Sequence, residues 1–230
     1  MIKHLACIMS GNRTWAKRKG WLPLMGYKPG VQTIRRVIDF CLKKNIAYLS
    51  LYTFSIENFK RPEDEKNYLF EVLVKDEFNS MVDEACQNGV RMEFLGDRAL
   101  FPKSVVSWFE KAEERTAQLK NLTVNFMFCY GGRQEIVHAA KVLAHKVKTG
   151  ELQESDITPE LFSQNLWTTG IPDPDLIIRP DGEKRLSNFL SYQSAYTELY
   201  FLDCMWPGLS DEHLEEAWNY FGTVKRNFGA

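Results

Sequence analysis

The sequence predicts a single α/β domain over residues 1–230, with a central, mostly parallel sheet flanked by helices. Three observations predict it. Short apolar runs alternate with helical periodicities along the chain, the order from which strand–helix–strand units build parallel sheets. At 230 residues and 44% hydrophobic content, the chain can bury one sizeable core. No internal repeat, low-complexity tract or linker divides it.

Taken in order, Leu5 to Met9 is a short apolar run. Val31, Ile34, Val37, Ile38, Cys41 and Leu42 recur at helical spacing, and Ala47 to Phe54 reads as a strand. Pro62 followed by Glu63, Asp64 and Glu65 starts a helix, with proline in the first turn and carboxylates at the positive end of the dipole. That helix is expected to run to about Gln87. Val90 to Leu95 is a strand and Pro102 to Leu119 a helix. Leu122, Val124, Phe126 and Phe128 alternate, as in a strand with a buried face. Gln134 to Lys148 is a helix closed by Gly150. Asp175-Leu176-Ile177-Ile178 is strand-like, and the last helix spans roughly Ser210 to Phe221. The loop from Thr168 to Pro174 is rich in turn formers but joins segments of one unit.

Composition narrows the function. A net charge of -1 gives no field to attract nucleic acid. Cys7, Cys41, Cys86, Cys129 and Cys204 are odd in number and lack a C-x-x-C pair, so they read as reduced core thiols of a cytoplasmic protein. No signal peptide precedes His4, and no apolar run approaches the ~20 residues that span a bilayer. Membrane contact is at most peripheral.

The chemistry concentrates after the strand at 175–178, in Arg179-Pro180-Asp181-Gly182-Glu183-Lys184-Arg185-Leu186-Ser187-Asn188. In an open α/β sheet ligands bind at the carboxyl ends of strands. Arginine forks match phosphate oxygens, and serine adds a donor. A charged loop alone is most often a solvated surface; the buried strand before this one favours a pocket for a diphosphate or another multi-oxygen anion. Gly131 and Gly132, after Tyr130 and before Arg133, suit close backbone approach to an anion.

Five segments together resemble the cis-prenyltransferase family, of the undecaprenyl diphosphate synthase type. They are His4 to Asn12, Tyr52 to Pro62, Tyr130 to Arg133, the arginine run, and Glu198-Leu199-Tyr200-Phe201 with Trp206-Pro207, in the family's order and spacing. The resemblance implies a prenyltransferase: an allylic diphosphate ionises, the double bond of isopentenyl diphosphate attacks, and a proton is lost. It implies magnesium (Mg2+) as cofactor and a homodimer joined near Phe189 to Trp206. It places Arg179, Arg185 and Ser187 on the isopentenyl diphosphate, Glu198 on the metal, and Ser55, Asn58 and Arg61 between two diphosphate sites. It puts Gly11 and Asn12 at the first site.

That first site departs from the family pattern, Met-Asp-Gly-Asn-x-Arg-Trp. Here the residues are Met9, Ser10, Gly11, Asn12, Arg13, Thr14 and Trp15, so Ser10 replaces the catalytic aspartate and Thr14 an arginine. Tyr27 stands for a histidine, and Trp21 to Leu24 contain no arginine. Pro180 and Asp181 replace a small-residue pair and set a carboxylate beside the arginine pocket. Arg13, one position from the lost arginine, is the expected compensating cation, with Lys17, Arg18 and Lys28 near it. Three readings follow: a prenyltransferase with a reshaped allylic site, a terpene synthase or prenyltransferase to a non-isoprenoid acceptor, or a non-catalytic partner subunit. For the hydrocarbon tunnel, the helix after Pro62 offers Leu69, Phe70, Leu73, Phe78, Met81 and Val82, although apolar residues at this spacing are more often plain core.

Overall fold

In the computed structural model, residues 1–225 are described, and of residues 71–76 and 78 only the backbone. Strands β1 (His4–Ile8), β2 (Tyr48–Ser55), β3 (Val90–Leu95), β4 (Leu122–Tyr130), β5 (Leu176–Arg179) and β6 (Glu198–Phe201) form one sheet. Their order is β3-β4-β2-β1-β5-β6, and every pairing is parallel. The expected mostly parallel sheet is thus parallel throughout. Parallel sheets carry helices on both faces, so their inner strands are buried on both sides. This overrides the one-sided burial expected for β4: of its residues only Thr123 is partly exposed.

The connections decide where a ligand fits. From β1 the chain passes through α1 (Asn12–Arg18) and α2 (Tyr27–Lys43) to β2 on one side; from β5 it moves to β6 on the other. Strand order therefore reverses between β1 and β5, and the loops leaving their carboxyl ends diverge. A crevice opens at such a switch point.

Two glycines let α2 close down on this crevice. A Cβ at Gly26 would lie 2.0 Å from the Asn12 carbonyl oxygen, and one at Gly30 2.3 Å from Asn12 Oδ1. The Gly30 carbonyl also accepts from Trp206 Nε1 at 2.8 Å. Val31, Ile34, Val37, Phe40 and Cys41 on α2 are buried.

The helix expected from Pro62 to Gln87 is broken. It consists of α3 (Glu63–Asn67), a π-helical turn over Tyr68–Leu73, and α4 (Val74–Asn88). Such wide turns re-aim side chains and recur at functional sites. Then come α5 (Lys103–Thr116), α6 (Gly132–Thr149), α7 (Pro159–Ser163) and α8 (Asp211–Thr223). Short α1, α7 and β6 carry too few residues for a period to show in sequence. Among the described residues no helix is long and apolar enough to cross a membrane. Cys7, Cys41 and Cys129 are buried, and all five cysteines are free.

Candidate active site

At the end of β5, Arg179 is 4% exposed. Its Nη1 donates to Ser187 Oγ at 2.8 Å and to the Arg185 carbonyl. Its Nε is buried and has no partner. Burial, then the Arg185 charge, lower its pKa, while Glu183 and Asp181 oppose. A guanidinium keeps its proton regardless, so a buried donor waits for an acceptor.

Ser187 and Asn188 take left-handed backbone conformations, φ 51 and 67, which cost strain unless neighbours fix them. Asn188 supplies that fixing. Its side-chain amide donates to Glu57 Oε1 at 2.8 Å and Gln134 Oε1 at 3.0 Å. Its carbonyl accepts from Gly132 N at 2.7 Å and its Oδ1 from Arg133 N at 2.8 Å. The expectation for Gly131 and Gly132 is corrected here. A Cβ at Gly132 would meet Ser191 Oγ at 2.6 Å and Ser191 N at 2.8 Å. The glycines make room for the arginine loop, whose Asn188 takes the donors at the start of α6.

Arg185 is brought near the pocket but not into it. Its guanidinium is ion-paired to Glu183, with the side chain 59% exposed. Its carbonyl, rather than its guanidinium, contacts Arg179.

Across the switch point lies the β1–α1 turn. Gly11 has φ 96; a Cβ there would meet Met205 Cβ at 2.9 Å and Asp181 Oδ1 at 3.2 Å. Ser10 Oγ donates to the Pro180 carbonyl at 3.4 Å. Asn12 Nδ2 donates to the Met9 carbonyl at 3.1 Å, while its Oδ1 is buried without a partner.

The first site's cations converge on one carboxylate. Glu65 Oε2 accepts from Arg13 Nη1 at 2.9 Å, and Oε1 from the Tyr27 hydroxyl at 2.5 Å. Arg61 Nη1 donates to the Tyr27 hydroxyl at 2.8 Å and lies 3.1 Å from Glu65 Oε1. Burial pushes the Glu65 pKa up, but the bonds from Tyr27 and Arg13 and the Arg61 charge outweigh it and hold it below the usual value. Arg13 is therefore bound to Glu65, not held free for phosphate as expected. Sequence reading placed Glu65 only at a helix start; its i,i+4 spacing from Arg61 was the available signal.

Beside these groups opens a cavity of ≈ 670 Å³. Ser10, Asn12, Tyr27, Ser55, Asn58, Arg61, Arg179 and Ser187 face it, whereas Gly11, Arg13, Arg185 and Glu198 do not. Ser55 and Asn58 cap one another across the turn after β2. Beyond the mouth the walls are apolar: Phe54, Phe94, Phe109, Phe126 and Phe128 from the sheet and α5, with Leu69, Phe70 and Met81 from the broken helix. Of the tunnel residues read from sequence, Val82 packs in the core instead, and the side chains of Leu73 and Phe78 lie outside the described residues. A charged mouth over an aromatic shaft suits an amphiphile with an anionic head.

No group of three or more metal-ligating side chains exists among the described residues. Glu198 pairs with Leu176, three register positions before Phe201 meets Arg179, which sets it roughly 10 Å back along the sheet at ~3.3 Å per residue. Within one chain it does not reach the mouth. Magnesium takes phosphate oxygens plus one or two carboxylates, and Asp181, whose Oδ1 stands against the Gly11 turn, would be the residue to offer one.

Known proteins share this architecture. A family model described as "Putative undecaprenyl diphosphate synthase" matches residues 8–229. An isoprenyl transferase of Clostridium perfringens is 44% identical, covering 100% of this chain and 90% of its own length. A (2E,6E)-farnesyl-diphosphate-specific ditrans,polycis-undecaprenyl-diphosphate synthase of Xylella fastidiosa is 40% identical, over 99% and 89%. The crystal structure of lavandulyl diphosphate synthase from Lavandula x intermedia, in complex with dimethylallyl diphosphate, superposes with a TM-score of 0.95 at 32% identity, covering 100% of this chain and 98% of that one. A probable undecaprenyl diphosphate synthase of Campylobacter jejuni gives 0.82 at 33%, over 100% and 99%.

Proposed function

The chain belongs to the undecaprenyl diphosphate synthase family of cis-prenyltransferases, and from that premise we propose that it condenses two isoprenoid diphosphates through an altered allylic site. It is a prenyltransferase, and the reading of a non-catalytic subunit is set aside. One observation carries the proposal: a buried arginine with an unpartnered Nε stands at the mouth of a cavity whose depth is lined by phenylalanines.

In this reading Arg179 and Ser187 hold one diphosphate. Their geometry is preset by Asn188, so little ordering remains to be done on binding. The second substrate's hydrocarbon chain enters the shaft, where burial of apolar surface gives about 25 cal/mol per Å². Its diphosphate lies toward Arg61 and the β1–α1 turn. As the allylic carbon–oxygen bond breaks, charge grows on the leaving diphosphate, and fixed donors at the mouth stabilise it. Bound magnesium supplies further stabilisation of that charge. Tyr27 and Glu65 orient Arg61 for this task. The apolar walls exclude water from the allylic cation, which leaves the double bond of the partner as nucleophile.

A second reading keeps a specific observation. Arg13 is bound to Glu65, and Thr14 stands where the family pattern has an arginine, so the first locus is poorer in free cations than the Arg179 side. That favours an uncharged acceptor, or a lone prenyl diphosphate cyclising as in a terpene synthase. We also propose a homodimer, since β6 is an edge strand whose residues all remain partly exposed, of the kind that chains conceal by pairing, and Glu198 lies on that edge.

The test is incubation with isopentenyl diphosphate and each of dimethylallyl, geranyl and farnesyl diphosphates, with and without magnesium, followed by mass analysis. A prenyl diphosphate lengthened by five-carbon units supports condensation. A product from one prenyl diphosphate alone supports cyclisation, and no product from any combination contradicts both condensation and cyclisation.

A further inference from the structure

We propose that Asp181 supplies the carboxylate for a divalent cation shared with the bound diphosphate, at the place where Ser10 offers none. This rests on the prenyl-transfer reading of the cavity.

Asp181 is the second residue after β5, with φ 89. Its backbone N–H donates to the Cys204 carbonyl at 2.7 Å, and that of Gly182 to the Leu202 carbonyl at 2.9 Å. These bonds tie the loop to the segment after β6, whose Trp206 N–H in turn reaches the Ser10 carbonyl at 2.9 Å. The contact is close: Oδ1 would lie 3.2 Å from a Cβ on Gly11, and Ser10 Oγ already touches the Pro180 carbonyl at 3.4 Å. Residues 10 and 181 are thus neighbours across the crevice, one with a hydroxyl and the other with a carboxylate. A cation that a carboxylate at position 10 would hold is within the domain of one at position 181.

Charge gives the second argument. Among the described residues no ion pair forms to Asp181. It stands beside Arg179, whose buried, unpartnered Nε marks an anion site. A carboxylate next to a diphosphate repels it at short range. A divalent cation between them turns that repulsion into two attractions, and magnesium takes such mixed carboxylate and phosphate coordination.

Calorimetry with inorganic diphosphate, with and without magnesium, tests this without turnover. Asp181→Asn keeps shape, and asparagine tolerates the left-handed backbone as aspartate does. Without magnesium the variant should bind diphosphate at least as tightly as wild type, because the repelling carboxylate is gone and the arginine site is intact, and it should lose roughly tenfold or more of the gain from magnesium. Ser10→Asp combined with Asp181→Asn should restore that gain. Retention of the full magnesium gain by Asp181→Asn overturns the proposal, as does a wild type that shows no gain. Diphosphate failing to bind wild type in either condition overturns the prenyl-transfer reading and this proposal with it.

Discussion

Arg179 and Arg185 are the same residue type six positions apart, and sequence assigns them one role. Burial separates them. Arg179 is enclosed and short of a partner, while Arg185 is half in water and paired to Glu183. Charge-assisted hydrogen bonds are worth about 1.5–3 kcal/mol, whereas exposed ion pairs are worth about 0–1 kcal/mol. Arg179→Lys, which keeps the charge and loses the fork, should weaken diphosphate binding by roughly 1.5–3 kcal/mol. Arg185→Ala should cost roughly 1 kcal/mol or less. Titration calorimetry on both variants checks the order; a larger loss at Arg185 would reverse the assignment. At the first site, Tyr27→Phe removes the hydroxyl that joins Arg61 to Glu65. Activity should fall through Arg61 misplacement, with stability lowered by about 1 kcal/mol, the usual worth of a hydrogen bond. Steady-state kinetics with urea unfolding separates the two effects. The residues were legible in sequence, but their exposure and most of their partners were not, because those are tertiary facts.

At the scale of elements, the strands were legible and the helix breaks were not. Apolar runs located β1 to β5, since buried parallel strands need continuous apolar residues. The π turn at Tyr68–Leu73 has no signature in a chain whose apolar spacing reads as helix on both sides. The glycines before α6 were legible as a turn, but their use was not. Gly132→Ala drives a methyl into Ser191, an overpacking that costs roughly 1–3 kcal/mol. It should also displace Asn188 and with it the Ser187 contact to Arg179, so thermal midpoint and diphosphate affinity should fall together. A stable variant with weakened binding alone would show the coupling to be different. The sheet's own polar cluster gives a pH prediction. His4 Nδ1 meets the Pro172 carbonyl at 2.6 Å and Nε2 meets Ser50 Oγ at 2.9 Å. Burial lowers its pKa from 6.5 to about 4, against opposing help from Pro172 and Asp175. The folded chain prefers the neutral ring, so this contribution is complete above pH 6.5 and is lost as pH falls toward 4. The loss is on the order of 3 kcal/mol. Glu65, held below its usual pKa, adds a further loss at lower pH. Urea unfolding from pH 7 to 4 should show the decline, and His4→Gln should flatten its upper part.

For the whole molecule, the family was legible because five separated segments keep order and spacing, and the fold follows from it. What motif reading misses is which groups face one another. The arginine loop and the β1–α1 turn are 170 residues apart between Ser10 and Pro180, yet they meet because strand order reverses between β1 and β5. In the proposed reaction that meeting would set a diphosphate between Arg179 and the Ser10 turn, with a hydrocarbon running down a shaft of phenylalanines. The most direct measurement is a crystal structure with a non-hydrolysable farnesyl thiodiphosphate and isopentenyl diphosphate. The account predicts one diphosphate about 3 Å from Arg179 Nε and Ser187 Oγ, and the farnesyl chain among Phe54, Phe70 and Phe128. Both diphosphates on the outer surface at Arg185, or an empty shaft beside a bound head group, would contradict it.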